Sequence, residues 1–179
     1  METNDETLAL AAAGGDATAF GVLVRRHYDR LFGLCYRLLG TRTEAEDLTQ
    51  DICAALPSKL AQFRGESKFT TWLYRVAVNA AHDRRRKQST HAKAATGWGG
   101  WEIGRQADNQ EEREKQQWLS EALNALSPEL RDTVALILGQ EQTHAQAGEI
   151  LGVSEGTIAW RMSEVKKHLR AYHQKEGYP

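Results

Sequence analysis

The chain has 179 residues, enough for one large domain or two small ones. Lys and Arg (23) nearly balance Asp and Glu (24), giving a formal net charge of −1, which argues against a nucleic-acid packer coated in basic charge. No run approaches the roughly 18 apolar residues of a membrane span, so no membrane insertion is expected. The opening METNDETLAL is acidic and lacks the basic-then-apolar order of a signal peptide, so the expected location is the cytoplasm. Cys35 and Cys53 sit in apolar, helical contexts and read as reduced core thiols.

In chain order, residues 5–39 read as helical, interrupted at Gly14-Gly15-Asp16. Asp16 or Thr18 can cap a second helix, whose Phe20, Leu23, Val24, Tyr28, Leu31, Leu34, Cys35 and Leu38 form a broad apolar stripe. His27 reads as a surface or packing residue, and Gly40 stops the helix. Thr43 and Glu46 have capping-box spacing for a third helix with Leu48, Ile52 and Leu56 inward and an acidic outer face. Such a face is usually only solvated. Pro57 is expected to interrupt this helix before Phe63, because it removes a backbone donor and pushes Leu56 away from helical angles.

The stretch FRGESKFTTWLYRVAVNAAHDRRRK, residues 63–87, is the most informative. Arg64-Gly65-Glu66-Ser67 is a turn, and Thr70 or Thr71 can cap a new helix. Leu73, Val76, Ala77 and Ala80 make an apolar face; Arg75, Asn79, His82 and Arg86 recur on another. Residues 75–87 carry five Arg or Lys and one acid. Arg and Lys can neutralise phosphates, and an Asn among them can pair two hydrogen bonds with a base. Phe63 and Phe69 are rings of the kind that hold unstacked bases, or core residues; Trp72 is open in the same way.

Residues 88–110 read as a linker, with Trp98 and Trp101 set among glycines. Helix returns over 111–138, with a stripe of Trp118, Leu119, Ala122, Leu123 and Leu126 and a new start at Ser127-Pro128. A short helix from His144 to Leu151, a Gly152-Val153-Ser154 turn and a long basic helix then follow in the order of a helix-turn-helix. Ile158, Met162, Val165 and Leu169 take its inner face. Glu155, Thr157, Trp160, Arg161 and Glu164 therefore lie nearest a major groove, with Trp160 slightly favoured to pack on a neighbouring helix. Lys166, Lys167 and Arg170 suit sequence-blind phosphate contacts.

Four segments carry a family likeness: AEDLTQD (45–51), FRGESKFTTWLYRVAVN (63–79), LNALSPELRD (123–132) and EILGVSEGTIAWRMSEVKKHLR (149–170). In this order they resemble a bacterial RNA polymerase sigma factor of the small extracytoplasmic-function group, over roughly 17–90 and 115–172. The resemblance implies an all-α chain of two small helical domains joined by a flexible linker. Residues 1–90 would grip the polymerase clamp and the minus-ten element, 91–114 would form an acidic linker, and 115–179 would read the minus-35 element and sit on the flap. Asp47, Gln50 and Asp51 fall where the family meets the clamp. Arg64, Ser67, Lys68 and Phe69 fall in the loop that holds a flipped minus-ten base, with Arg75, Asn79, Arg84 and Arg85 on the helix that follows. Arg161 matches an Arg of the recognition helix. The implied partners are core RNA polymerase, promoter DNA and an anti-sigma factor. No cofactor, metal or covalent catalysis is implied. Ala159-Trp160, Glu164 and the His144–Ala147 run depart from the family pattern.

A stand-alone helix-turn-helix regulator would explain the second half alone. An enzyme acting on DNA would need a carboxylate cluster or nucleophile constellation, and no such spacing is found.

Overall fold

The computed structural model describes residues 3–91 and 110–176, which are all-α with no strand among them. The helices are α1 (Asp5–Ala13), α2 (Ala17–Leu39), α3 (Arg42–Leu60), α4 (Phe69–His91), α5 (Gln110–Asn124), α6 (Pro128–Ile137), α7 (His144–Leu151) and α8 (Glu155–Glu176). Trp98 and Trp101 lie outside the described residues. α5 starts at Gln110, inside the segment expected to be linker.

Local chemistry sets most of the helix ends. Asp16 caps α2, accepting the Thr18 and Ala19 amides at 2.9 and 3.0 Å. Gly40 closes α2 in the left-handed region at φ 86°, where a side chain would be strained. That turn leaves Thr41 at the head of α3. Thr41, not Thr43, is the cap: it accepts the Glu44 amide at 3.3 Å. Glu46 instead pairs with Arg42 along the helix at 2.8 Å. α3 then runs unbroken through Pro57 to Leu60, against expectation. An interior proline costs about 3 kcal/mol. Leu56 and Leu60, one on each side of it, are both buried, and burying each contributes roughly 1.5–3 kcal/mol. Pro57 itself faces solvent.

Leu23, Leu31, Leu34, Cys35 and Leu38 of α2 are buried as expected, but the stripe departs from expectation at one turn. His27 is buried and Tyr28 is exposed. The reason is Asp5 of α1, whose Oδ2 lies 2.7 Å from His27 Nε2, so the imidazole enters the core with a partner.

The apolar core formed by α1–α4 does not end at the first half. It continues through Ala135 and Leu136 of α6, Ala147 and Ile150 of α7 and Ile158 of α8. A smaller core joins Leu123 and Leu126 to Leu130, Val134 and Val165. α6 lies between the two, which is why every residue from Leu130 to Leu136 is buried. The α6–α7 loop docks on α2. Gln140 donates to the Arg30 carbonyl at 3.1 Å, and Glu141 pairs with Arg30 at 3.7 Å. Gly139 is pressed against Arg37, leaving no room for a Cβ.

Candidate nucleic-acid interface

α4 begins at Phe69, earlier than a Thr70 or Thr71 cap would allow, and Thr71 is buried. The acceptor comes from another helix: Glu6 of α1 takes the Phe69 amide at 3.0 Å. A carboxylate there also opposes the positive end of the helix dipole. Phe69 is 1% exposed and Phe63 is buried. They form an aromatic cluster with Trp72 and His27, at centroid distances of 5.3 to 5.9 Å. The stacking reading of Phe69 and Phe63 is therefore corrected: in this arrangement their rings are core, and they shape the loop from beneath. Arg64 and Lys68 are exposed above them and Ser67 is half-buried.

Further along α4, Arg75, Asn79, His82 and Arg86 are exposed, as their spacing implies. Arg84 and Arg85 are not free. Arg84 bonds Asp51 at 3.0 Å and the Glu44 carbonyl at 3.1 Å, tying α4 to α3. Arg85 makes a two-pronged bond to Asp132 of α6, at 3.1 and 2.8 Å, and His82 Nε2 lies 2.7 Å from the same carboxylate. Asp132 is 4% exposed. Burial pushes its carboxyl up, but hydrogen bonds from His82 and Arg85, with the Arg85 charge, hold it below the ordinary carboxylate range. On α3, Asp47, Gln50 and Asp51 are all exposed on one face.

The second surface is built by α7 and α8. Thr143 and Gln146 form a reciprocal capping box that starts α7. Gly152 turns the chain at φ 68°. Gly148 lets the turn close, since a Cβ there would meet the Val153 carbonyl oxygen at 2.7 Å. Ser154 accepts the Thr157 amide at 3.1 Å and shares a hydrogen bond with the Thr157 hydroxyl, at 2.9 Å. Ile158 and Val165 are buried, with Met162 and Leu169 packed beside them. Trp160 is 61% exposed, which corrects the packing preference: none of the described helices covers it. Glu155, Lys166, Lys167 and Arg170 are exposed; Thr157, Arg161 and Glu164 are half-buried. Lys167 bonds Glu164 at 2.6 Å, so this lysine already holds a carboxylate.

Sequence reading missed Glu6, Asp5, Asp132 and Gly148. Only Gly148 had a local signal, a second glycine four residues before Gly152. Among the described residues, no cluster of three or more His, Cys, Asp or Glu is placed to hold a metal, and no helix is long and apolar enough to cross a membrane.

A helical unit with a cationic row on one helix, packed on a second unit ending in a helix-turn-helix, is the build of a transcription factor with two nucleic-acid-facing surfaces. Residues 23–91 match the family described as Sigma-70 region 2, and residues 116–169 match Sigma-70, region 4. The chain is 30% identical over 168 residues to the ECF RNA polymerase sigma factor SigM of Mycobacterium tuberculosis, covering 94% of this chain and 84% of that one. Its fold is shared with CnrH, solved in complex with the cytosolic domain of CnrY, at a TM-score of 0.73, 23% identity and coverage of 96% and 97%. It is also shared with the sigma factor RpoE of Bartonella quintana, solved with the anti-sigma factor NepR, at a TM-score of 0.69, 22% identity and coverage of 87% and 96%. The chain belongs to the extracytoplasmic-function sigma factors, which direct RNA polymerase to promoters. The stand-alone regulator is ruled out by the region 2 match over 23–91.

Proposed function

We propose that this sigma factor acts by binding alone, in the cytoplasm, with residues 1–90, 91–114 and 115–179 as clamp-and-minus-ten unit, connector and minus-35 unit. Asp47, Gln50 and Asp51 meet the polymerase clamp. Arg64, Ser67 and Lys68 line the loop that receives a flipped minus-ten base. Arg75 and Asn79 follow the unwound strand, Asn79 contacting a base and Arg75 a phosphate. Glu155, Thr157, Trp160, Arg161 and Glu164 face the minus-35 major groove, while Lys166, Lys167 and Arg170 hold its phosphates. An anti-sigma factor restrains the protein, a partner class supported by the complex of the Bartonella quintana relative.

The observation that carries the reading is Asn79, exposed in the middle of a cationic row on α4 within the region 2 match. A lost bidentate base contact costs about 1–3 kcal/mol. Asn79→Ala is expected to reduce open-complex formation, measured with core polymerase on a promoter, while core binding stays intact. Equal loss of both would make Asn79 a structural residue and overturn the assignment.

A further inference from the structure

We propose that Trp160 selects a thymine in the minus-35 major groove by packing on its 5-methyl group, and that Gly156 lets α8 come close enough for that contact. The proposal rests on the minus-35 role of α8 and deepens it, naming the base that one side chain selects. It starts from an exposure that folding does not explain. Ile158 and Val165 are buried, with Met162 and Leu169 packed beside them, so α8 already has a complete inner face. Trp160 is left open, and among the described residues no other large apolar side chain of α8 is exposed. Tryptophan is highly buried on average, so an open indole calls for a partner. Three features make that partner DNA. Trp160 lies near the start of the second helix of a helix-turn-helix, where side chains reach base edges. Lys166, Lys167 and Arg170 are exposed further along the same helix, whereas the cores of protein interfaces are depleted in lysine. The third feature is Gly156, exposed and one helical turn before Trp160. A helical side chain covers the turn before its own Cα, so the indole shares its surface with Gly156. A Cβ at 156 would meet only Ser154 Oγ, at 3.8 Å, and the backbone there is not left-handed. Nothing inside the chain requires this poor helix former. A surface outside that approaches the backbone closely does.

The chemistry of the groove then fixes the base. Guanine, adenine and cytosine present hydrogen-bonding groups there, and thymine alone adds a methyl. An indole has one donor and no acceptor. Laid against a purely polar edge, it strips water and returns at most one bond, which costs free energy. Laid against a thymine methyl, it takes apolar surface out of water on both sides. Trp160 therefore favours thymine twice, by a gain at the methyl and by a penalty at the other bases. Polar readers on the same face begin with internal partners. Glu164 holds Lys167 at 2.6 Å, and the Thr157 hydroxyl shares a hydrogen bond with Ser154 at 2.9 Å. Among the described residues Trp160 has no such bond to give up, so its contact is gained outright.

The test uses the full chain bound to core polymerase. Duplexes randomised across the minus-35 region are selected by the unaltered protein, by Trp160→Ala and by Trp160→Phe, which keeps an apolar ring. The unaltered protein and Trp160→Phe should enrich thymine at a position where Trp160→Ala does not. The selected duplex is then remade with deoxyuridine in place of that thymine, which deletes only the methyl. The change should weaken binding by the unaltered protein roughly fourfold, the worth of one buried methyl, and leave Trp160→Ala unmoved. Gly156→Ala should melt no lower than the unaltered chain and yet lose the preference for thymine over uracil. Equal affinity of the unaltered protein for the two duplexes, or a preference that survives Trp160→Ala, would overturn the contact. So would a Trp160→Ala chain that selects the same sequences but binds core polymerase more weakly, which would place the indole on the polymerase. The same selection separates this contact from the functional reading. A chain that enriches a minus-35 sequence without any thymine dependent on Trp160 loses the contact and keeps the function. A chain that enriches no sequence loses the minus-35 role itself.

Discussion

The Glu6 carboxylate is the test of how the loop before α4 is held. Glu6 sits in α1 and takes the first amide of α4, the Phe69 N–H, at 3.0 Å across 63 residues of sequence. Among the described residues no other acceptor for that amide appears, and the loop before it is a turn rather than a capping side chain. Glu6→Ala removes one acceptor and one favourable charge at a helix N-terminus. The first is worth about 0.5–2 kcal/mol by analogy with lost N-caps. The second adds roughly 0.3–1 kcal/mol, near the low end here because Glu6 is half-exposed. A total near 1 kcal/mol lowers the melting temperature by about 2–4 °C for a chain of this size. Glu6→Gln retains an acceptor oxygen and should recover most of the loss. Circular dichroism melts of the three proteins measure the order wild type, Gln, Ala. Open-complex formation should fall in the same order, although Glu6 touches no DNA, because Phe69 carries the loop. If Glu6→Ala melts with the wild type and forms open complexes normally, α1 does not hold this loop and the argument fails.

Gly148→Ala replaces a poor helix former by the best one, which alone would stabilise by about 1 kcal/mol. Here the new Cβ meets the Val153 backbone oxygen at 2.7 Å, so a net loss of roughly 1–3 kcal/mol is expected in thermal melts; a gain would refute the close approach. Glu164→Arg should change which minus-35 sequences are selected from a randomised library, and should also leave Lys167 unpaired; an unaltered preference would mean position 164 does not face the bases. Cys35 is buried and its thiol is pushed up from 9.0 to about 11, chiefly by burial. Its contribution to stability is fully present below pH 9.0 and is lost as pH rises towards 11, since the unfolded thiol ionises first. At pH 8, Ellman's reagent should therefore reach half-buried Cys53 first and Cys35 only on unfolding; prompt reaction of Cys35 would contradict its burial.

The elements legible in the sequence are those whose causes are local. Asp16, Gly40 and Gly152 end or begin helices through bonds reaching a few residues, and Ser127-Pro128 marks the start of α6 although the Ser127 side chain makes no capping bond. The exposed row Arg75, Asn79, His82 and Arg86 follows from helical spacing alone. What escaped depends on partners distant in sequence. Nothing near Phe69 says that His27 and Trp72 will enclose it, so a loop phenylalanine could equally have been a stacking platform. His27 is buried because Asp5 waits 22 residues earlier, and spacing cannot carry that information. Pro57 obeys its local rule in energy but not in outcome, since two buried leucines outweigh it. Asp132 belongs to a motif, LNALSPELRD, that reads as a helix start, and its carboxylate gives no sign that it will cross to α4.

The near-neutral net charge acquires a physical meaning from these pairings. Some arginines and lysines of the two cationic helices carry acidic partners: Arg84 with Asp51, Arg85 with Asp132, Lys167 with Glu164. An arginine that already holds a carboxylate has no phosphate-like vacancy to offer, and meeting DNA requires an exchange of partners rather than a simple gain. The more exposed Arg84–Asp51 and Lys167–Glu164 pairs contribute only about 0–1 kcal/mol each, so exchange there is shallow in energy, whereas Asp132 is buried in its pair with Arg85. Its consequence is discrimination. At each paired cation a stray duplex would have to displace a carboxylate, which would lower non-specific affinity in a chain of net charge −1. On the proposed assignment, a promoter held by polymerase would present phosphates to both helices at once, and Asp51 of α3, released from Arg84, would face the protein partner instead of the DNA.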